Sequence, residues 1–206
     1  MPPPRGDSVR CCSMDELKVL ITREQIAARI AEMGVAIAAD SAGEPVIFVA
    51  VLKGAAIFLS DLVRQVQVDA TFEFIGVSSY GNRISAQPET SEQPDVQPSR
   101  RAWDSTGEVR VTKDVEQSLR GANVILVEDI LDTGLTLTFL KRHLLAHEPK
   151  SFRVAVLLDK PSRRKSPVEA EYVGFTIPDE FVVGYGLDYA ERYRNLPDVC
   201  VLSGGS

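Results

Sequence analysis

Three short apolar runs rich in β-branched residues, Val46–Leu52 (VIFVAVL), Val124–Val127 (VILV) and Val154–Leu158 (VAVLL), each end abruptly at charged side chains. None alternates apolar with polar positions, so none reads as a strand with one wet face. Short unbroken runs of this kind are strands covered on both sides, as in a parallel sheet flanked by helices. They fall far below the about 18–20 residues needed to span hydrocarbon, so membrane insertion is not expected.

The segments between the runs carry helical spacing. Thr22 offers an N-cap with Gln25 three residues on, followed by Ile26, Ile30, Met33 and Ile37. A second helix is expected from Gly54, with Ile57, Phe58, Leu62 and Val63 packing back on the sheet, and a third over 136–147 with Leu137, Leu140 and Leu144 inward. Phe72–Val77, Val109–Val111, Tyr172–Ile177, Phe181–Tyr185 and Val199–Leu202 read as further strands. Strands alternating with helices predict an α/β fold with a mainly parallel central sheet flanked by helices. Residues 1–13 read as a disordered tail and 14–206 as a single domain. Between them and the later strands, 82–108 (NRISAQPETSEQPDVQPSRRAWDSTGE) loses all periodicity and reads as a long mobile insertion.

Composition narrows the partners. The 206 residues carry 23 basic and 29 acidic side chains, a net charge of -6, with no long basic block. That balance argues against nucleic acid or an anionic membrane surface as a partner. The three cysteines, Cys11, Cys12 and Cys200, suit neither a disulfide framework nor a zinc site, and no secretory signal opens the chain, so a cytoplasmic location is expected.

In open α/β sheets ligands bind where strands end and loops begin. The most informative junction is 124–137 (VILVEDILDTGLTL). A buried strand brings Glu128 and Asp129 to its end, and the turn Asp132, Thr133, Gly134, Leu135, Thr136 opens a helix. Gly134 permits close backbone approach, the threonines add hydroxyls and the helix start adds unpaired N–H groups, which together make a phosphate cradle. Carboxylates beside a phosphate cradle can accept hydrogen bonds from sugar hydroxyls or steady Mg²⁺. Each residue alone would read as an ordinary strand end, Asx turn and cap. Together they describe a ribose-5-phosphate pocket.

A second junction, Lys53-Gly54, pairs a cation with a glycine at a strand-to-helix turn. A third comprises Lys160 after one strand and Phe181, Val182 and Asp188 around another. An aromatic face beside a lysine suits a flat base bearing a ring carbonyl, a 6-oxopurine rather than adenine. Phe181 by itself would read as core, and Arg163, Arg164 and Lys165 read as a solvated loop.

VILVEDILDTGLTL resembles the 5-phosphoribosyl-1-pyrophosphate (PRPP) signature of the type I phosphoribosyltransferases. From Thr22 to Leu202 the segments SSYGN, LLDKPSRR and DEFVVGYGLDYAERYRNLPDVCVL are similar to the hypoxanthine-guanine branch of that family. The resemblance implies a type I phosphoribosyltransferase fold with a small hood subdomain. It further implies purine salvage, with PRPP and hypoxanthine or guanine giving IMP or GMP plus pyrophosphate, and Mg²⁺ as cofactor. Carried over by position, Asp132 is the catalytic acid/base at purine N7, and Glu128, Asp129 and Asp132 to Thr136 hold ribose phosphate. Lys53, Gly54 and Arg194 contact pyrophosphate, with a Leu52–Lys53 peptide that is cis in that branch. Lys160 donates to O6, Phe181 stacks on the base, Val182 addresses the 2-position through its backbone, and Asp188 holds metal with Glu128 and Asp129 nearby. Ser79 and Tyr80 begin a mobile closing loop, and the family commonly forms dimers or tetramers. The insertion after Gly81 departs from the family pattern. A xanthine-preferring transferase and a non-catalytic PRPP-sensing regulator are the alternatives.

Overall fold

A computed structural model of the chain describes residues 16–80 and 108–203. The expected tail at 1–13 and nearly all of the 82–108 insertion, including Trp103, lie outside the described residues.

The central sheet has six strands in the order β4-β3-β2-β5-β6-β7, where β2 is Val46–Leu52, β3 Ala70–Tyr80, β4 Glu108–Lys113, β5 Asn123–Leu131, β6 Ser151–Asp159 and β7 Tyr172–Thr176. Only β4 runs antiparallel, at one edge. Alternate residues of each central strand face opposite cores. Val46, Phe48 and Ala50 join one cluster with helices α1 (Arg23–Ser41) and α2 (Ala55–Gln65), whereas Val49 and Val51 join another with α3 (Leu135–Leu145). This two-sided burial is what an unbroken apolar run requires, and each fully buried Phe, Leu or Ile contributes roughly 1.5–3 kcal/mol. The first helix starts as the spacing predicts. Thr22 Oγ1 accepts from Gln25 N at 3.3 Å while Gln25 Oε1 accepts from Thr22 N at 2.9 Å, a reciprocal capping box.

Three sequence expectations need correction. Ile57 does not pack on the sheet but is 36% exposed, while Phe58, Leu59 and Leu62 carry the buried face of α2. Glu128 and Asp129 are not beyond the end of β5 but within it, because the strand continues through Leu131. Finally, β1 (Glu16–Ile21) was not anticipated. Its ELKVLI pattern is short and one-third charged, and its strand state comes from pairing with β9 (Val199–Ser203), which in turn pairs with β8 (Val182–Val183). These three strands form a small second sheet, tied to the main body where the Tyr185 hydroxyl donates to Asp61 Oδ2 at 2.5 Å. None of the described helices is long and apolar enough to cross a membrane.

Candidate active site

The order of strands places the site. After β2 the chain moves first to β3 on one side and later to β5 on the other, so a crevice opens beyond the carboxyl ends of β2 and β5. Lys53 and Gly54 leave β2 there, and the last residues of β5, from Glu128 on, run out to Asp132 beside them.

One cavity of about 270 Å³ is lined by Lys53, Gly54, Glu128, Asp129, Thr136, Asp188 and Arg194, with Val77 and Val109 from the ends of β3 and β4. The Leu52–Lys53 peptide is cis. Gly54 sits directly under Asp129, and Gly186, at φ 101°, packs so close to Gly54 that a β-carbon on it would stand 2.1 Å from the Gly54 carbonyl oxygen. Its walls carry both signs of charge. Lys53 Nζ donates to Glu191 Oε2 at 2.8 Å, and the Arg194 guanidinium donates to Asp188 Oδ1 at 2.7 Å and to the Gly186 carbonyl at 2.8 Å. Burial pushes the Glu128 carboxyl well above its usual range, reinforced by the neighbouring Asp129 charge. Asp129 is raised to about 6, also by burial, against the opposing pull of backbone N–H groups such as that of Ile130. Glu128 Oε2 and Arg194 Nε are buried with no hydrogen-bond partner among the described residues. Both are costly to leave so, and both point to a ligand that brings the opposite chemistry.

This donor set suits a hard, oxygen-seeking cation such as Mg²⁺. Glu128, Asp129 and Asp188 share the cavity wall but do not converge as three ligands on one point. That is the expected arrangement for Mg²⁺, which takes one or two carboxylates and fills its other positions with water and substrate phosphate.

The adjoining turn forms a second pocket of about 270 Å³ lined by Glu128, Asp132, Thr133, Gly134, Thr136 and Arg163. Gly134 is the N-cap of α3 at φ 81°, in the left-handed region, and no side chain caps the helix. The first-turn amides are therefore aimed at the pocket. Only a long 3.4 Å contact to Thr133 Oγ1 engages the Leu135 N–H, and this is the geometry of an anion site.

The largest of the three, about 810 Å³, lies against the small sheet and is lined by Asp129, Ile130, Asp132, Lys160, Arg163, Asp179, Glu180, Phe181, Val182, Leu187 and Asp188. Lys160 is 6% exposed, and burial lowers its ammonium below the usual lysine value. Its Nζ donates to the Glu180 carbonyl at 2.5 Å. Phe181 is 40% exposed, so its ring is a wall of the cavity rather than core, set edge-on to Tyr189 with centroids 5.7 Å apart. Glu128, Asp129, Asp132 and Asp188 each line two of the three spaces, which join as one elongated site.

The structure thus brings Lys53, Gly54, Glu128, Asp129, Asp132, Thr133, Gly134, Leu135, Thr136, Lys160, Phe181, Val182, Asp188 and Arg194 around one crevice. Ser79 and Tyr80 end β3, paired with Val109 and Glu108, two and three residues beyond the Val77 that lines the first cavity. Sequence reasoning was wrong about Arg163 and Arg164. Arg163 Nε lies 2.8 Å from Asp132 Oδ1, and the Arg164 guanidinium donates to the carbonyls of Leu131 (3.1 Å) and Asp132 (2.6 Å) and pairs with Asp159. The available signal was Pro161. It starts a 3-10 turn, Pro161–Arg163, whose three-residue repeat returns Arg163 to the side of Lys160. Asp179, Glu180 and Glu191 were also missed, because nothing local distinguishes them from solvated loop acids.

A model of the phosphoribosyl transferase domain matches residues 20–190. A hypoxanthine-guanine phosphoribosyltransferase of Mycobacterium tuberculosis is 45% identical over 197 residues, covering 93% of this chain and 88% of the relative. The hypoxanthine phosphoribosyltransferase of Escherichia coli K12 is 42% identical, covering 88% and 92%. Among solved structures, a Bacillus anthracis hypoxanthine-guanine phosphoribosyltransferase superposes with a TM-score of 0.78 at 45% identity, covering 91% of this chain and 99% of that one. That of Trypanosoma cruzi, a hypoxanthine phosphoribosyltransferase complexed with the product IMP, gives 0.77 at 37% identity, covering 94% of each chain.

Proposed function

The chain belongs to the hypoxanthine-guanine phosphoribosyltransferase family, and on that premise we propose that it transfers the 5-phosphoribosyl group of PRPP to hypoxanthine or guanine, giving IMP or GMP plus pyrophosphate. The observation that carries the base assignment is the pairing of the buried Lys160 with the half-exposed ring of Phe181 on one cavity wall. A lysine held there donates to a 6-carbonyl and is mismatched with the 6-amino group of adenine.

The 5-phosphate lies on the uncapped start of α3, with Thr133 and Thr136 hydroxyls around it. Glu128 and Asp129 accept from the ribose hydroxyls, and the orphaned Glu128 Oε2 gains a partner in doing so. Breaking the bond from C1 to the pyrophosphate oxygen leaves a carbocation-like ribose and a strongly anionic leaving group. Lys53 and Arg194 line the cavity where that charge develops and offset it. Asp188, with Glu128 and Asp129 in reach, would hold Mg²⁺, which would supply further positive charge there. The base forms its bond to C1 through N9, and Asp132 takes up the proton at N7 as it does so. Ser79 and Tyr80 begin the loop that excludes water from the exposed C1. The Val182 backbone faces the 2-position, where hypoxanthine and guanine differ. We place the enzyme in the cytoplasm as a homo-oligomer of two or four chains, working on small molecules without nucleic acid or membrane, with 14–206 as one domain bearing the insertion at 82–108.

Incubation of the pure protein with PRPP and Mg²⁺ and each of hypoxanthine, guanine, xanthine, adenine and uracil, with nucleotides resolved by chromatography, tests this reading. IMP and GMP are expected. Turnover of xanthine alone would replace the acceptor, and turnover of adenine or uracil alone would overturn the base assignment.

A further inference from the structure

We propose that Asp114, His143 and His147 form a second metal site, of the zinc class, that fastens the end of strand β4 to the C-terminal end of helix α3. The chain contains two histidines in all, and the fold brings both to this one place with a carboxylate. One ligand atom from each of the three lies within 4.8 Å of the other two. His143 Nε2 hydrogen-bonds the Asp114 carboxylate, 3.0 Å from Oδ1 and 2.9 Å from Oδ2, and a metal would take the place of that shared proton; the spacing is close to the about 3.3 Å ligand-to-ligand edge of a tetrahedral site with bonds near 2.0–2.1 Å. Small adjustments of two rings therefore bring all three ligands to bonding distance, and water completes the shell.

The surroundings hold the ligands in place. His143 stands in the last turn of α3 and His147 in the turn just past its C-cap Ala146, and their rings stand 5.5 Å apart. Phe139, one turn earlier, stacks on His143 at an interplanar angle of 7°. The Val115 N–H donates to Asp114 Oδ1 at 2.8 Å and orients the carboxylate, as second-shell donors do at metal sites. The helix end itself favours a cation, because its last carbonyls carry partial negative charge. Two imidazoles and one carboxylate select Zn²⁺, Co²⁺, Ni²⁺ or Cu²⁺ over Mg²⁺, which prefers oxygen alone.

The site is separate from the reaction centre. An 11-residue helix is about 16 Å long, and the phosphate pocket lies at its other end. A metal here cross-links Asp114, just beyond β4, to α3, two elements that otherwise meet through side chains. Since the far ends of β4 and α3 border the substrate cavities, the clamp fixes the base on which both are mounted.

The test uses the full chain without a histidine tag, stripped by chelation and held in excess Mg²⁺ so that the active-site carboxylates are occupied. Stoichiometric Co²⁺ should give the visible absorption of a four- or five-coordinate ion and should shift both histidine C2–H resonances, of which the protein has two. Zn²⁺ should displace it and raise the unfolding temperature. His147→Gln and Asp114→Asn should each weaken binding at least tenfold while phosphoribosyl transfer in Mg²⁺, without added Co²⁺ or Zn²⁺, is unchanged. Unshifted histidine resonances, a sulfur-to-cobalt charge-transfer band, or binding abolished by Mg²⁺ would each overturn the proposal, and the first of these needs no variant to fold.

Discussion

Asp129 closes over Gly54 so tightly that a β-carbon on the glycine would stand 1.6 Å from Oδ2 and 2.5 Å from Cγ. The glycine belongs to the turn after β2 and the carboxylate to β5, so the contact joins the two strands that border the crevice. A flexible surface carboxylate would step aside, but this one is half-buried and held by the Ile130 N–H.

Gly54→Ala should therefore displace Asp129 and distort the turn carrying Lys53. Overpacking of this kind typically costs about 1–3 kcal/mol, and PRPP-dependent turnover should fall at least a hundredfold. Thermal unfolding and an assay at saturating base check both, and a variant with normal stability and turnover would refute the role assigned to the contact.

Lys160→Ala removes the donor on the wall of the largest cavity while leaving the phosphate pocket intact. Loss of a charged hydrogen bond to a substrate carbonyl, worth about 1.5–3 kcal/mol, costs on the order of 10–10² in kcat/KM. That loss should appear with hypoxanthine as the varied substrate, and PRPP affinity should change less than threefold. Equal losses toward both substrates would take Lys160 out of base recognition.

Glu191 bridges the two cations of the pyrophosphate cavity, 2.8 Å from Lys53 Nζ and 3.5 Å from Arg194. A carboxylate in that position stands where anionic oxygens of the substrate would, and it must give way to them. Glu191→Gln keeps the shape and removes the charge, so the KM for PRPP and the Kd for pyrophosphate should both fall a few-fold. Unchanged or weaker binding would show that Glu191 positions the cations rather than competing for them.

The buried acids give the ligand-free protein a distinctive response to pH. Asp129, ordinarily near 3.8, keeps its proton to about 6 when folded, and Glu128 is raised in the same direction. Between those values the folded chain binds more protons than the unfolded one, so stability falls as pH rises through that window and levels off above it. The Asp129 contribution is at most about 3 kcal/mol, since the side chain keeps partial contact with solvent. Denaturant unfolding from pH 4 to 7 should show this component, and Asp129→Asn should remove it. Saturating Mg²⁺ should shrink it as well, because the cation favours the ionised carboxylates.

What local pattern governs was legible in the chain itself. Unbroken β-branched runs became strands buried on both faces, the Thr22–Gln25 pair became a capping box, and the turn at Asp132–Thr136 became an uncapped helix start lined with hydroxyls. Each is decided within a few residues, by side-chain period or by backbone groups that need a partner close at hand. The tertiary structure decided the remainder. Strand β1 exists because β9, about 180 residues away in sequence, pairs with it. Arg163 looks like a loop cation until its turn folds it onto Asp132, and Glu191 is an ordinary acid until the fold sets it 138 residues away against Lys53. The two histidines are close in sequence, at the end of α3 and in the turn after it, yet Asp114 reaches them only because β4 ends beside α3. Sequence period fixes which way a side chain faces, but which distant charge it meets depends on how the elements are stacked, and that is settled only when the whole core closes.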